Sequence, residues 1–280
     1  MKRPLYLINI VPHYGGGEIY MSKLATLLAE SHRVTVVSPY LHALFNKMEE
    51  IDVPVINLGN TSPIATRIGF LKWLLLNRRL VKDGAIVLLN GRSAAYLTPF
   101  VALISGAPPV VIAHTELTGK VQFKERLYAL ATCFAKKVIC VSDTLAEQHR
   151  RRWPRVPAVG IPNWLDGGRA ARAPVRSMPR AGVDIAVIGR LEANKGMADV
   201  ISACAGIPNV NLHIFGDGPL RHSLESMVSP EQSVCFHGFV DDMPARLLNH
   251  AILVSASRTE SFSYAVGEAI EAGLLCVVSD

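Results

Sequence analysis

Cysteine is sparse in this chain and forms no motif. Cys133, Cys140, Cys204, Cys235 and Cys276 stand far apart, odd in number and without a C-x-x-C pair. That usage argues against a disulfide framework or a thiolate zinc site and suits a reduced, cytoplasmic protein. Charge is missing from residues 94–113, a length that could span a bilayer. Gly106 and Pro108-Pro109 break this run into a helix and a strand, so no transmembrane segment is expected. No secretory leader is expected either. Lys2 and Arg3 precede a short apolar run, but Pro12, His13 and three glycines replace a small-residue cleavage site, and residues 4–10 read as a first strand. Basic residues nowhere interleave with aromatics in a nucleic-acid-binding motif, so no nucleic-acid partner is expected.

Half of the 280 residues are apolar and 19% are charged, the balance of a globular chain with ample core. Apolar runs at 4–10, 33–38, 53–57, 85–89, 110–113, 137–141 and 158–161 alternate with helical stretches, which implies a parallel sheet covered on both faces. Residues 165–182 are rich in Gly, Ala, Arg and Pro without an apolar period and read as a linker. The alternation then restarts at 183–188, 211–215, 234–237, 251–254 and 275–279. The expected class is α/β, with two facing Rossmann-like domains, residues 1–164 and 183–280, and a cleft between them for a small substrate.

Residues 1–164 hold 20 Lys and Arg against 10 Asp and Glu, whereas 165–280 hold 9 against 13. The halves therefore carry +10 and −4. A basic first half suits an anionic partner such as a membrane surface or phosphorylated acceptor. The helix expected over 68–81 mixes Phe70, Trp73 and Leu74 to Leu76 with Lys72, Arg78, Arg79 and Lys82. Its apolar residues spread around most of the circumference, which favours a packed helix with a solvated basic end over one lying on a membrane.

The chemistry-bearing stretches sit at strand ends. Gly15-Gly16-Gly17-Glu18 follows the first strand, where glycines let backbone approach a phosphate or sugar. It lacks the third glycine of a dinucleotide fingerprint, and the second strand ends in Val37-Ser38-Pro39 instead of an acid, so a nicotinamide enzyme is disfavoured. His114 follows strand 110–113 and points into the ligand crevice of such a fold. Gly189-Arg190-Leu191-Glu192-Ala193-Asn194-Lys195-Gly196 puts two cations just ahead of a helix beginning near Met197, a setting for a diphosphate. Gly216-Asp217-Gly218-Pro219 is a turn signal. Residues 260–273 place Glu260 in a loop and Glu268 one to two turns into a helix, with Ser261 or Ser263 as cap and Gly273 as terminator.

Together these motifs resemble glycosyltransferase family 4, the retaining nucleotide-sugar transferases of GT-B fold. Val141-Ser142-Asp143, Ile161-Pro162-Asn163 and Phe236-His237-Gly238-Phe239-Val240 complete eight stretches in family order over nearly the whole chain. The resemblance implies that Glu268 holds the ribose hydroxyls of the nucleotide. Glu260 and the amides of Phe262 and Ser263 would contact donor sugar and phosphate, with Arg190 and Lys195 neutralising the diphosphate beside Gly189 and Gly216. Gly16 and Gly17 would close against it, and His114 would sit by the transferred sugar. It implies no cofactor and no bound metal, so Asp241-Asp242 reads as an acidic turn. The implied partners are a nucleotide-diphosphate sugar and a glycan or lipid-linked acceptor in envelope or surface polysaccharide synthesis, with the protein cytoplasmic or peripheral on the inner membrane face.

Trp164, Ala256, Ser261 and Leu275 depart from the family's glycine, proline, glycine and proline. The family also continues with a glycine-rich loop, a strand and helices where this sequence ends at Asp280. The expectation is a truncated transferase, poorly active or inactive. The alternatives are a non-catalytic nucleotide-sugar-binding remnant and a GT-B sugar-nucleotide epimerase.

Overall fold

The computed structural model describes residues 2–11, 15–59, 62–79, 84–115, 123–165, 182–240, 243–260 and 262–279. The chain divides into two compact units, Met1–Asn163 and Trp164–Asp280. Most of the expected linker, residues 166–181, lies outside the described residues, as do Asp241-Asp242 and Ser261.

In the first unit β1 (Arg3–Ile8), β2 (His32–Ser38), β3 (Val55–Asn57), β4 (Ile86–Asn90), β5 (Val110–Ala113), β6 (Lys137–Cys140) and β7 (Ala158–Gly160) form one sheet. Its order is β3-β2-β1-β4-β5-β6-β7, with every pairing parallel. Parallel strands need crossover helices on both faces, so their side chains are buried on both sides and their sequences run apolar without alternation. Leu7, Ile8, Val36, Val37, Leu89, Val111 and Ile112 are accordingly inaccessible to solvent.

The second unit repeats the plan. Strands β8 (Val183–Ile188), β9 (Val210–Phe215), β10 (Ser233–Gly238), β11 (Ile252–Ser255) and β12 (Leu275–Val278) stand in the order β10-β9-β8-β11-β12, again all parallel. One face packs Val187, Leu191, Ile201 and Ile214, the other Ala186, Phe215, Leu253 and Ala269. In each sheet the chain reverses its direction of winding beside the first strand, between β1 and β4 and between β8 and β11. Ligands of open α/β sheets bind beyond the strand carboxyl ends at such a point.

Local chemistry sets the element ends. Asn9 stops β1 two residues short of the expected limit, because its side chain exchanges hydrogen bonds with the backbone N–H and C=O of Val11 at 3.2 and 3.1 Å. The charge-free stretch takes in the end of one short helix, Gly91–Ala95, and the whole of a second, Thr98–Ser105, before β5, and Gly106 closes the second with φ +71°. The helix expected over 68–81 begins earlier and spans Pro63–Leu76. Proline at the first turn has its φ already set and gives up an N–H that would be unpaired there. Asn77 ends this helix, its side-chain amide donating to the Trp73 carbonyl at 2.8 Å. Phe70 and Leu74 are fully buried, so the helix does pack on the sheet.

Candidate functional site

In the second unit, the loop after β8 and the loop after β11 are tied together at the switch point. Gly189 leaves β8, a 3-10 turn covers Ala193–Lys195, and the helix Met197–Cys204 starts after Gly196. Gly196 has φ +65°, and a β-carbon there would run into the carbonyl of Ala256 in the opposite loop. Only glycine meets both demands. The approach is closed by the Arg258 N–H, which donates to the Asn194 carbonyl at 2.8 Å.

This contact carries Lys195 to Glu260, and its Nζ donates to Oε2 at 2.5 Å. The two side chains keep 21% and 32% of their exposure, so the pair stays open to a solute. Arg190 is held separately, 2.8 Å from Glu192. The structure thus brings Lys195 to one of the expected glutamates and gives Arg190 a partner that the sequence reading did not single out.

Ser263 is the cap of the helix Tyr264–Glu271, its hydroxyl accepting from the Val266 N–H at 3.3 Å. Gly273 ends the helix with φ +79°. Glu268 lies within this helix, partly buried, and Phe262 packs edge-on to Tyr264 at 5.1 Å. Gly216 sits against the other side of the β8 loop, where the Gly189 N–H donates to the Phe215 carbonyl at 3.0 Å and the Leu191 N–H to the Asp217 carbonyl at 3.0 Å. Among the described residues no group of three or more His, Cys, Asp or Glu is placed to hold a metal ion.

In the first unit, His114 follows β5 and meets Asn90 at the end of β4. Its Nε2 is 2.7 Å from Asn90 Oδ1, while Asn90 Nδ2 donates to the Gly17 carbonyl at 3.2 Å. Because the amide nitrogen is committed to Gly17, the amide oxygen faces the imidazole, and Nε2 carries the proton. Nδ1 is left as the acceptor. Tyr20 packs edge-on to the ring at 5.1 Å, and a β-carbon on Gly17 would stand 3.5 Å from it, an ordinary contact. Gly16 opens the helix Gly16–Ala29. Asn90 escaped the sequence reading because the expected strand stopped at Leu89. Its place at the switch point, just before Gly91, was the available signal.

Burial lowers the His114 pKa from 6.5 to about 4, so at neutral pH the ring is an uncharged hydrogen-bonding group. The folded state therefore binds this proton less readily than the unfolded chain does. The stabilisation is fully present above pH 6.5 and is lost as pH falls from 6.5 through 4. Its size is on the order of 3 kcal/mol. Urea unfolding of wild type and His114→Gln across that window is expected to give a shallower pH slope for the variant. Equal slopes would show that His114 is not the group responsible.

Residues 14–169, more than half of the chain, match the family model described as Glycosyltransferase Family 4. The chain belongs to glycosyltransferase family 4. Residues 182–280 of this family 4 chain also match the model described as Glycosyl transferases group 1. Curated proteins give no match.

Among solved structures, the chain is similar to Anabaena HepE crystallised in complex with UDP-glucose, with a TM-score of 0.78, 18% identity, and coverage of 98% of this chain and 80% of that one. It is also similar to the sucrose-phosphate synthase of Thermosynechococcus elongatus, with a TM-score of 0.75, 17% identity and coverage of 99% and 81%. A third likeness is to the lipopolysaccharide outer core galactosyltransferase WaaB in its apo form, at 0.66, 16%, 99% and 80%. The family 4 chain has the α/β architecture of the GT-B glycosyltransferases.

Proposed function

We propose that this family 4 chain transfers a sugar from a nucleotide-diphosphate donor to a glycan or lipid-linked acceptor, with retention of the anomeric configuration. The observation that carries the donor assignment is the Lys195–Glu260 pair at the switch point of the second sheet. Lys195 and Arg190 take the diphosphate there, between the backbone of Gly189 and Gly216. Glu268 holds the ribose, and Glu260 with the amides of Phe262 and Ser263 takes the donor sugar and its phosphate.

His114, Gly16 and Gly17 of the first unit are assigned to the transferred sugar and its phosphate. The neutral His114 offers a hydroxyl the Nδ1 lone pair and adds no positive charge. Charge on the departing nucleotide is met by the two cations and helix N-terminal N–H groups, so the reading invokes no metal or cofactor. UDP-glucose bound to HepE and the galactosyltransferase activity named for WaaB support a hexose donor and an envelope or surface polysaccharide as product. A cytoplasmic place, peripheral to the inner membrane face, belongs to the same reading. Among the described residues no helix is long and apolar enough to cross a membrane.

The test starts with thermal unfolding in the presence of a panel of nucleotides and nucleotide sugars. A ligand bound only by the folded state at about 100 times its Kd adds about 2.7 kcal/mol of stability, expected as a rise in Tm of several degrees. Turnover with the stabilising donor, and NMR of the product's anomeric proton, then follow. An inverted product would overturn the retaining assignment. Binding without turnover would leave a nucleotide-sugar-binding module, and free epimerised donor without any acceptor would identify an epimerase.

A further inference from the structure

Gly267 stands inside the helix Tyr264–Glu271, one residue before Glu268. Its backbone is not left-handed, so the helix itself gives no reason for a residue that favours helix less than alanine does. The reason is a neighbour. A β-carbon on Gly267 would stand 2.7 Å from both methyl carbons of Leu165 and 3.1 Å from its Cγ, closer than packed carbons approach. Gly267 is buried and Leu165 partly so. The isopropyl group of Leu165 therefore occupies the space a side chain would take, as a knob in a notch. Both residues belong to the second unit, Trp164–Asp280.

The helix has another contact face, where Val266, Ala269 and Ala272 share a core with Ala186, Phe215 and Leu253 of the sheet. Successive helix residues are about 100° apart around the axis, so Gly267 and Ala269 lie on nearly opposite sides. Glu268 projects between them. A helix of 8 residues seated mainly on alanines offers few ridges to stop it from turning about its axis. Leu165 supplies that stop from the other side. Because the Glu268 carboxylate is carried on a long side chain, even a small turn of the axis would move it beyond hydrogen-bond reach of a fixed hydroxyl.

We propose that Leu165 is a positioning residue for Glu268: seated in the Gly267 notch, it fixes the rotation of the helix and so aims the carboxylate at the ribose of the nucleotide. The inference rests on the reading of Glu268 as the ribose-binding group and adds the contact that keeps that group in place.

The test is the preference for ribose hydroxyls. Uridine, adenosine and guanosine diphosphates are titrated by calorimetry, and the tightest binder is compared with its counterpart whose ribose lacks both hydroxyls. The wild type is expected to favour the ribose form by about tenfold or more, because hydrogen bonds to a charged group are lost without the hydroxyls. Leu165→Ala empties the notch and Gly267→Ala evicts the leucine tip. Each should cut the preference to about threefold or less, while binding of the hydroxyl-free compound stays within about twofold of wild type. The double variant should be no worse than either single one, since both changes remove the same contact. Leu165→Met, of similar volume, should keep most of the preference.

A merely structural role would lower Tm and weaken both nucleotides in step. Full preference in both Leu165→Ala and Gly267→Ala, with or without such weakening, overturns this proposal alone. A wild type that binds none of the diphosphates, or a Glu268→Gln variant that keeps the full preference, overturns the ribose reading and this proposal with it.

Discussion

Lys195→Ala is expected to lower transfer from the nucleotide-sugar donor by about 10²–10³-fold in kcat/KM, the range seen when a preorganised group facing developing charge is removed. The cost to folding should be small, because a pair as exposed as Lys195–Glu260 adds about 1 kcal/mol at most. The larger effect comes from two sources. The diphosphate loses its cation, and the Glu260 carboxylate, 2.5 Å from Lys195 Nζ in the structure, stays behind uncompensated and repels the incoming anion.

A double-mutant cycle with Glu260→Gln separates these sources. If Lys195 acts on the diphosphate, the Lys195→Ala/Glu260→Gln enzyme stays impaired after the repulsion is gone. Recovery to the level of Glu260→Gln alone would mean that Lys195 serves only to neutralise the glutamate. Arg190→Ala should cost less, because the partner it leaves is Glu192, within the β8 loop itself.

Gly216→Ala is expected to destabilise the second unit by about 3 kcal/mol or more, through left-handed backbone strain combined with a steric clash. Gly216 has φ +133°, and a β-carbon there would collide with the carbonyl oxygen of Gly189. That carbonyl cannot retreat cheaply. The Gly189 N–H is bonded to Phe215, and the Gly216 N–H donates to the Gly238 carbonyl at 2.7 Å. Relief of the clash would pull apart the ends of β8, β9 and β10 together. Gly206→Ala is the control, since a β-carbon at Gly206 meets nothing within 4 Å, and the loss of unfolded-chain freedom should leave it neutral or slightly stabilising. The measurement is urea unfolding followed by circular dichroism. Equal midpoints for Gly216→Ala and Gly206→Ala would contradict the steric account.

Much of the fold is legible in the sequence because buried parallel strands need unbroken apolar runs and helices need their own caps. The strands at 110–113 and 183–188 are readable to the residue. Ser263 and Gly273 announce the ends of the helix after β11 by chemistry that acts within a few residues. Where a boundary turned on a single residue, as with Asn9 ending β1 or a proline opening the helix Pro63–Leu76, apolar density misled. Periodicity also could not show which apolar residues of Pro63–Leu76 face the core and which face solvent, because burial depends on which neighbours the helix receives.

What the sequence alone determined is therefore the α/β class, the order of elements, and the set of residue types available at each strand end. Tertiary structure decided the pairings: Lys195 with Glu260 across 65 positions, Arg190 with Glu192, and His114 with Asn90 in one tautomer. The physical reason is one of range. Secondary structure is specified by contacts within a few residues, whereas partner choice among charged and polar groups depends on crossover topology that brings distant loops to a single sheet end.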